Sequence, residues 1–241
     1  MRRKKRGRAA AWLLLALSIC AIAFALCNLR EPWQAYREGN ESYGQLAGLA
    51  RPANPKPDMP IDFAALQAVN PDAAAWLHCP DTVIDYPVMR AEDYDYYLRR
   101  LPDGTYNANG SLFIDYHCAP DFTGQLTVIY GHHMKSGRMF GSLKGCKQQA
   151  YYERHPAMYL YTQQGRHRID LLYGCVIAAG EWRERAFMYE ANLDGLLAYA
   201  ASNTTFTSAA RYSPGDRIVA LSTCSYEFDG ARYVVLGVIT K

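Results

Sequence analysis

The chain has 241 residues, 50% of them apolar and 13% aromatic, with 18 Gly and 12 Pro. That composition excludes collagen-like and disordered proteins and leaves room for one sizeable core. Of the 26 Lys and Arg, six (Arg2, Arg3, Lys4, Lys5, Arg6 and Arg8) crowd the N-terminus, leaving 20 against 23 Asp and Glu in the rest. The net charge of +3 therefore belongs to one end, which argues against a basic nucleic-acid-binding domain.

The basic cluster is followed by 19 residues without a charge, 9–27, with WLLLALSICAIAFALC at their heart. At 1.5 Å per residue such a helix just spans a hydrocarbon layer of about 30 Å. Positive charge before the run and little after it places the N-terminus in the cytoplasm. A cleaved signal peptide competes, but its exit would need small-x-small where Phe24-Ala25-Leu26 stands. A lipoprotein cysteine at Cys27 would want a small residue in place of Leu26. The favoured expectation is an uncleaved single transmembrane helix, with the rest of the chain outside the membrane. The expected organisation is a basic cytoplasmic tail (1–8), a signal-anchor (9–27), a juxtamembrane helix with a spacer (28–60) and an extracellular folded domain (61–241).

Residues 31–50 read as a helix carrying Trp33, Tyr36, Tyr43, Leu46 and Leu49, interrupted by Gly39 and Gly44. RPANPKPDMP (51–60), with four prolines, reads as a stiff spacer. Residues 61–69 form a short helix capped by Asp62 and stopped before Asn70-Pro71. From there the pattern is of short strands. AAWLHC and TVIDYPVM flank a Pro80-Asp81 turn, SLFIDY follows Asn109-Gly110, and QLTVIY follows Gly124. AMYLYT and HRIDLLYGCVIAA form a further hairpin, and RIVALSTC and ARYVVLGVIT close the chain. One helix interrupts them, with Asn192 as N-cap and Leu193, Leu196, Leu197 and Ala200 as its apolar face. About eight strands with little room for helical crossovers indicate an antiparallel barrel or sandwich.

Seven cysteines occur, Cys20 and Cys27 in the apolar run and Cys79, Cys118, Cys146, Cys175 and Cys224 beyond it. An odd, scattered set is no disulfide framework and leaves at least one thiol free. Cys224 ends an apolar strand, Arg232 starts the next one eight residues on, and His132 follows the strand LTVIYG. These three strand ends bring a thiol, an imidazole and a guanidinium to one pocket. The set suits covalent acyl transfer: a thiolate attacks, an imidazolium protonates the leaving amine, and a guanidinium stabilises the oxyanion. His117, Cys118, His132 and His133 lack the spacing of a local zinc site, so no metal is expected. His133 is expected to line the pocket or face solvent. Glu92 and Asp93, adjacent and pointing apart, are discounted as an acid/base pair.

At these residues the chain resembles the sortases, most closely class B. The matching segments are VIYGHHM (128–134), LSTCSYEF (221–228) and RYVVLGV (232–238). NPDAAAWL (70–77), TVIDYPVM (82–89), DYDYYL (93–98) and NGSLFIDY (109–116) match as well, in family order. The resemblance implies a mostly β fold, a closed eight-stranded sortase-like β-barrel with N-terminal helices and one inserted helix. It implies a cysteine transpeptidase that needs no cofactor and cleaves a C-terminal sorting signal of Leu-Pro-x-Thr-Gly or Asn-Pro-x-Thr-x type after Thr. Its partners would be surface proteins bearing such signals and an amine, from a peptidoglycan precursor or another surface protein, in a Gram-positive bacterium. Cys224 would be the nucleophile, His132, directly after Gly131, the general acid/base, and Arg232 the transition-state stabiliser. Leu98, Ser222 and Thr223 would line the signal groove, and Tyr94 stands where class B members often carry Asn. Two rivals share these residues: an extracellular cysteine peptidase that releases its acyl group to water, and a non-catalytic anchored binding module.

Overall fold

A computed structural model describes residues 2–51, 60–187 and 189–240. Helix α1 (Arg2–Ala50) is continuous, so the expected helix at 31–50 is the end of a longer rod. Its docked stripe is Gly39, Tyr43, Leu46 and Ala50, at helical spacing, whereas Trp33 and Leu49 are exposed. Gly39 is what permits the docking: a Cβ there would stand 2.0 Å from Asn109 Nδ2. Asn107 Nδ2 also donates to the Ala35 carbonyl at 3.0 Å. The Pro-rich spacer expected at 51–60 lies, but for its ends, outside the described residues.

The side chains described in the apolar run, residues 12–27, are all exposed. Trp12, Leu17, Ile22 and Phe24 each keep 59% or more of their surface accessible. Among the described residues no helix is long and apolar enough to cross a membrane.

Helix α2 (Phe63–Val69) starts as expected, Asp62 accepting from Ala65 N–H at 3.0 Å. The strands are β1 (Ala73–His78), β2 (Asp85–Arg90), β3 (Leu112–Ile114), β4 (Leu126–Tyr130), β5 (Ala157–Thr162), β6 (Gly165–Ala178), β7 (Arg217–Cys224) and β8 (Ala231–Thr240). They close in the order β1-β2-β3-β4-β7-β8-β6-β5, with Leu77, Val88, Val128, Leu160 and Leu221 among the buried residues of the core.

Two features depart from the sequence reading. The barrel is not wholly antiparallel, because β2 pairs with β3 and β4 pairs with β7 in parallel. Parallel neighbours need long crossovers, and the one from β4 to β7 contains the whole β5–β6 hairpin. The inserted helix is also more than one. Between β6 and β7 come α4 (Ala179–Phe187) and α5 (Tyr189–Ser202), so Asn192 falls inside α5 instead of preceding it. Between β4 and β5, a 3-10 segment (Phe140–Lys147) and the short α3 (Gln149–Arg154) pack outside the barrel. That outer cover is why β7 is buried along Ile218 to Thr223 without alternation.

Candidate active site

Strand direction builds the site. Parallel β4 and β7 end at the same rim, and antiparallel β8 begins there. The ladder aligns Tyr130 with Ser222 and extends one step further, Gly131 N–H donating to the Ser222 carbonyl at 3.2 Å. Thr223 Oγ1 donates to the Gly131 carbonyl at 2.7 Å. Cys224 and Arg232 are direct cross-strand partners. A cavity of about 270 Å³ opens at this rim. Its lining includes all of the expected site residues: Cys224, His132, Arg232, Leu98, Tyr94, Ser222 and Thr223. Cys224, His132 and Arg232 are each half-buried, shielded from bulk water but open to the cavity.

His132 is aimed by its surroundings. Its Nε2 lies 2.7 Å from the Leu98 carbonyl, and since a carbonyl only accepts, Nε2 carries a proton and donates. Nδ1 is left to exchange a proton in the cavity. Beneath the ring sits Gly110, at φ +59°, where a Cβ would meet His132 Cδ2 at 2.8 Å and the Leu98 carbonyl at 2.6 Å. Tyr43 of α1 donates to the Gly110 carbonyl, which ties the docked end of the helix to the floor of the site. Gly131 is equally constrained, a Cβ there standing 2.4 Å from Leu112 Cδ2 and 2.7 Å from Phe140 Cδ2. The chain then turns back sharply: Met139 takes φ +51°, and Phe140 N–H donates to the His132 carbonyl at 3.0 Å.

Arg232 Nη1 donates to the Ala231 carbonyl at 3.1 Å. Among the described residues no ion pair neutralises it. An unneutralised guanidinium beside a thiol favours anionic species on that sulfur and on a carbonyl oxygen attacked by it. The expected groove residues divide. Thr223 spends its hydroxyl proton on Gly131, whereas the Ser222 hydroxyl is buried with no hydrogen-bond partner among the described residues. Leu98 contributes its backbone as well as its side chain.

The structure adds residues that sequence reasoning missed. Tyr130, Trp182 and Arg183 line the same cavity. Asp115, 1% exposed, accepts from Tyr94 Oη at 3.1 Å and Tyr130 Oη at 2.9 Å, so one buried carboxylate pins two tyrosines of the cavity wall. His117 closes the cluster, its Nδ1 lying 3.0 Å from Asp115 Oδ1. Burial first, and the Asp115 charge second, push both phenol pKa values up, so these tyrosines stay protonated donors. The Arg183 guanidinium lies over the Tyr94 ring at 5.8 Å. Asp115 had a legible signal, as the charge that interrupts the apolar run SLFIDY.

His133 does not line the cavity and does not simply face solvent, the two positions expected of it. It turns to the opposite side, with Nδ1 2.7 Å from the Cys224 carbonyl. The seven cysteines are all unpaired; Cys79, Cys118, Cys146 and Cys175 are buried and Cys224 is half-exposed.

Comparison with known proteins agrees with this geometry. No family model matches the chain. Sortase B of Listeria monocytogenes is 31% identical over 180 residues, spanning 73% of this chain and 73% of that protein. A crystal structure from Bacillus anthracis, described as similar to sortase B, is 27% identical with a TM-score of 0.75, covering 86% of this chain and 97% of that one. The Staphylococcus aureus sortase B–substrate complex superposes with a TM-score of 0.68 at 25% identity, covering 74% of this chain and 84% of that one. On its sequence and its barrel alike, the chain belongs to the sortase B family of cysteine transpeptidases.

Proposed function

We propose that Cys224, His132 and Arg232 carry out transfer of a sorting-signal peptide of Leu-Pro-x-Thr-Gly or Asn-Pro-x-Thr-x type from its own chain to an amine. The carrying observation is that all three half-buried side chains border one cavity at the rim where β4 and β7 end and β8 begins. The Cys224 thiolate adds to the carbonyl carbon after Thr, and the carbonyl electrons move to an oxyanion held by Arg232. Collapse expels the amine of the following residue, which takes a proton from His132 Nδ1, and a thioester to Cys224 remains. The incoming amine gives its proton back to His132 as it attacks that thioester, restoring the thiolate. Removal of the imidazole or the guanidinium each costs about 10²–10⁴-fold on this scheme.

Tyr94, Leu98, Ser222 and Thr223 form the wall against which the signal lies, and the Asp115-bound pair Tyr94 and Tyr130 gives that wall a fixed aromatic face. Structures of S. aureus sortase B with a substrate and with triglycine support a peptide on one side of the reaction and an amine on the other. The amine acceptor of this chain is a peptidoglycan precursor or a surface protein.

Residues 9–27 act as a single-pass anchor with the basic tail in the cytoplasm and the barrel outside. The support is the charge-free run itself, the six basic residues before it, and apolar side chains that α1 leaves uncovered all round.

The test is incubation with a sorting-signal peptide, with and without triglycine, followed by intact-protein mass spectrometry. A thioester on Cys224 and a triglycine-capped product support the reading. Hydrolysis alone in abundant triglycine makes the protein a peptidase, and no adduct at all makes it a binding module. Carbonate-resistant, detergent-extractable membrane association of the full chain, lost on deletion of residues 1–27, tests the anchor.

A further inference from the structure

The Cys224–Ser225 peptide is where β7 leaves the sheet, and it is gripped from both sides. Ser225 N–H donates to the Ala231 carbonyl at 2.9 Å, the carbonyl that also receives Arg232 Nη1. The Cys224 carbonyl has no strand partner left, because the β7–β8 register ends at Cys224 and Arg232. His133 fills that vacancy at 2.7 Å through Nδ1. A carbonyl cannot donate, so Nδ1 bears the proton in both the neutral ring and the imidazolium. The ring is itself held: an isolated bridge joins His133 to Met139, and Tyr226 packs edge-on at a centroid distance of 5.0 Å.

We infer that His133 is a positioning residue for the nucleophile. Its Nδ1–H fixes the peptide plane that follows Cys224 and thereby the setting of the sulfur in the cavity. His132 and His133 are consecutive in an extended segment, so their side chains leave on opposite sides. One dipeptide therefore aims the acid/base ring into the cavity and clamps the backbone of the thiol from behind. Neither can shift without the other, which keeps sulfur and imidazole in register while the thioester forms and breaks. A misplacement of about 1 Å at such a site costs on the order of 10²-fold in rate. The inference rests on Cys224 being the nucleophile.

The experiment measures kcat and KM for transfer from a sorting-signal peptide to triglycine, together with Tm, in the parent chain, His133→Ala, His133→Asn, His133→Gln and Cys224→Ala. Asn carries an amide donor close to the place of Nδ1, whereas Gln carries it one bond further out. The expected result is a fall in kcat of about 10–100-fold for His133→Ala with KM within about twofold. His133→Asn should recover to within about fivefold of the parent, and His133→Gln should fold but remain slow. Parent-like kcat in His133→Ala, or equal impairment in the Ala and Asn variants, overturns the inference and leaves His133 as packing for Tyr226. Should His133→Ala fail to fold, the Asn and Gln variants decide, parent-like rates in both overturning it. Persistent transfer in Cys224→Ala would instead overturn the nucleophile assignment, whatever the His133 variants do.

Discussion

Cys224 and Cys175 sit on neighbouring parts of the same sheet and have opposite chemistries. Cys175 lies mid-strand in β6, 1% exposed, and burial pushes its thiol up to about 12. Cys146 is driven to about 12 and Cys118 to about 11, again by burial first. A thiolate in any of these places would lose its hydration and gain little in return. Cys224 is the one cysteine of the barrel that sits at a strand end, half-exposed, with a guanidinium across the ladder. Reactivity here is decided by where the strand stops, since the sheet chemistry on either side is the same.

The largest effect should separate these two positions directly. Cys224→Ala should lower transfer by at least about 10³-fold, while Cys175→Ala should keep transfer within about twofold, both read from product chromatography. Native alkylation with iodoacetamide should sharpen the contrast: Cys224 reacts along with exposed Cys20 and Cys27, and Cys79, Cys118, Cys146 and Cys175 react at least about 100-fold more slowly until urea is added. Peptide mapping reads each site. Next in size is Gly131→Ala, whose Cβ runs into Leu112 and Phe140. It should cost about 1–3 kcal/mol in urea unfolding and, by displacing His132, lower kcat further than that stability loss explains. Cys175→Ala itself should cost only about 1–2 kcal/mol, from a small cavity.

The smallest effect lies in the loop behind Cys224. Glu227 also feels desolvation, which raises its pKa, but its bonds to Lys147 and Ser225 win and hold it down to about 2. Asp85 is held to about 2 as well, by His78, Trp76 and Arg51 against the same desolvation. Both folded values lie below the ordinary carboxylate range. Their contribution is therefore fully present above about pH 4 and is lost as pH falls toward 2. Urea midpoints should fall through that window, and Glu227→Gln should flatten part of the fall.

Strands were legible because each is bounded by turn residues and rich in β-branched and aromatic side chains. Their partners were not. Local pattern says nothing about whether β4 meets β7 in parallel, although the unbroken apolar run IVALST was the physical hint of a strand covered on both faces. Helix α4 was hidden because the apolar end of β6 runs straight into it. Its signals were the spacing of buried Trp182 and Ala186 and the Glu181–Arg185 pair at 2.8 Å. The convergence of Cys224, His132 and Arg232 followed from strand ends and from the family resemblance together. His133 escaped notice because its role depends on a carbonyl in a distant strand, which no spacing reveals. Asp115 escaped for a similar reason: its two tyrosine partners come from a loop and from β4.

The pairing of β4 with β7, from Leu126 against Ile218 onward, has a kinetic corollary. Contacts between segments so far apart along the chain form late, after the hairpins between them. No isolated hairpin of this protein carries both the sulfur and the imidazole, so a nascent or half-folded chain holds an inert thiol. Acyl transfer switches on only when the last seam of the barrel zips shut, which makes turnover a direct clock for the end of folding.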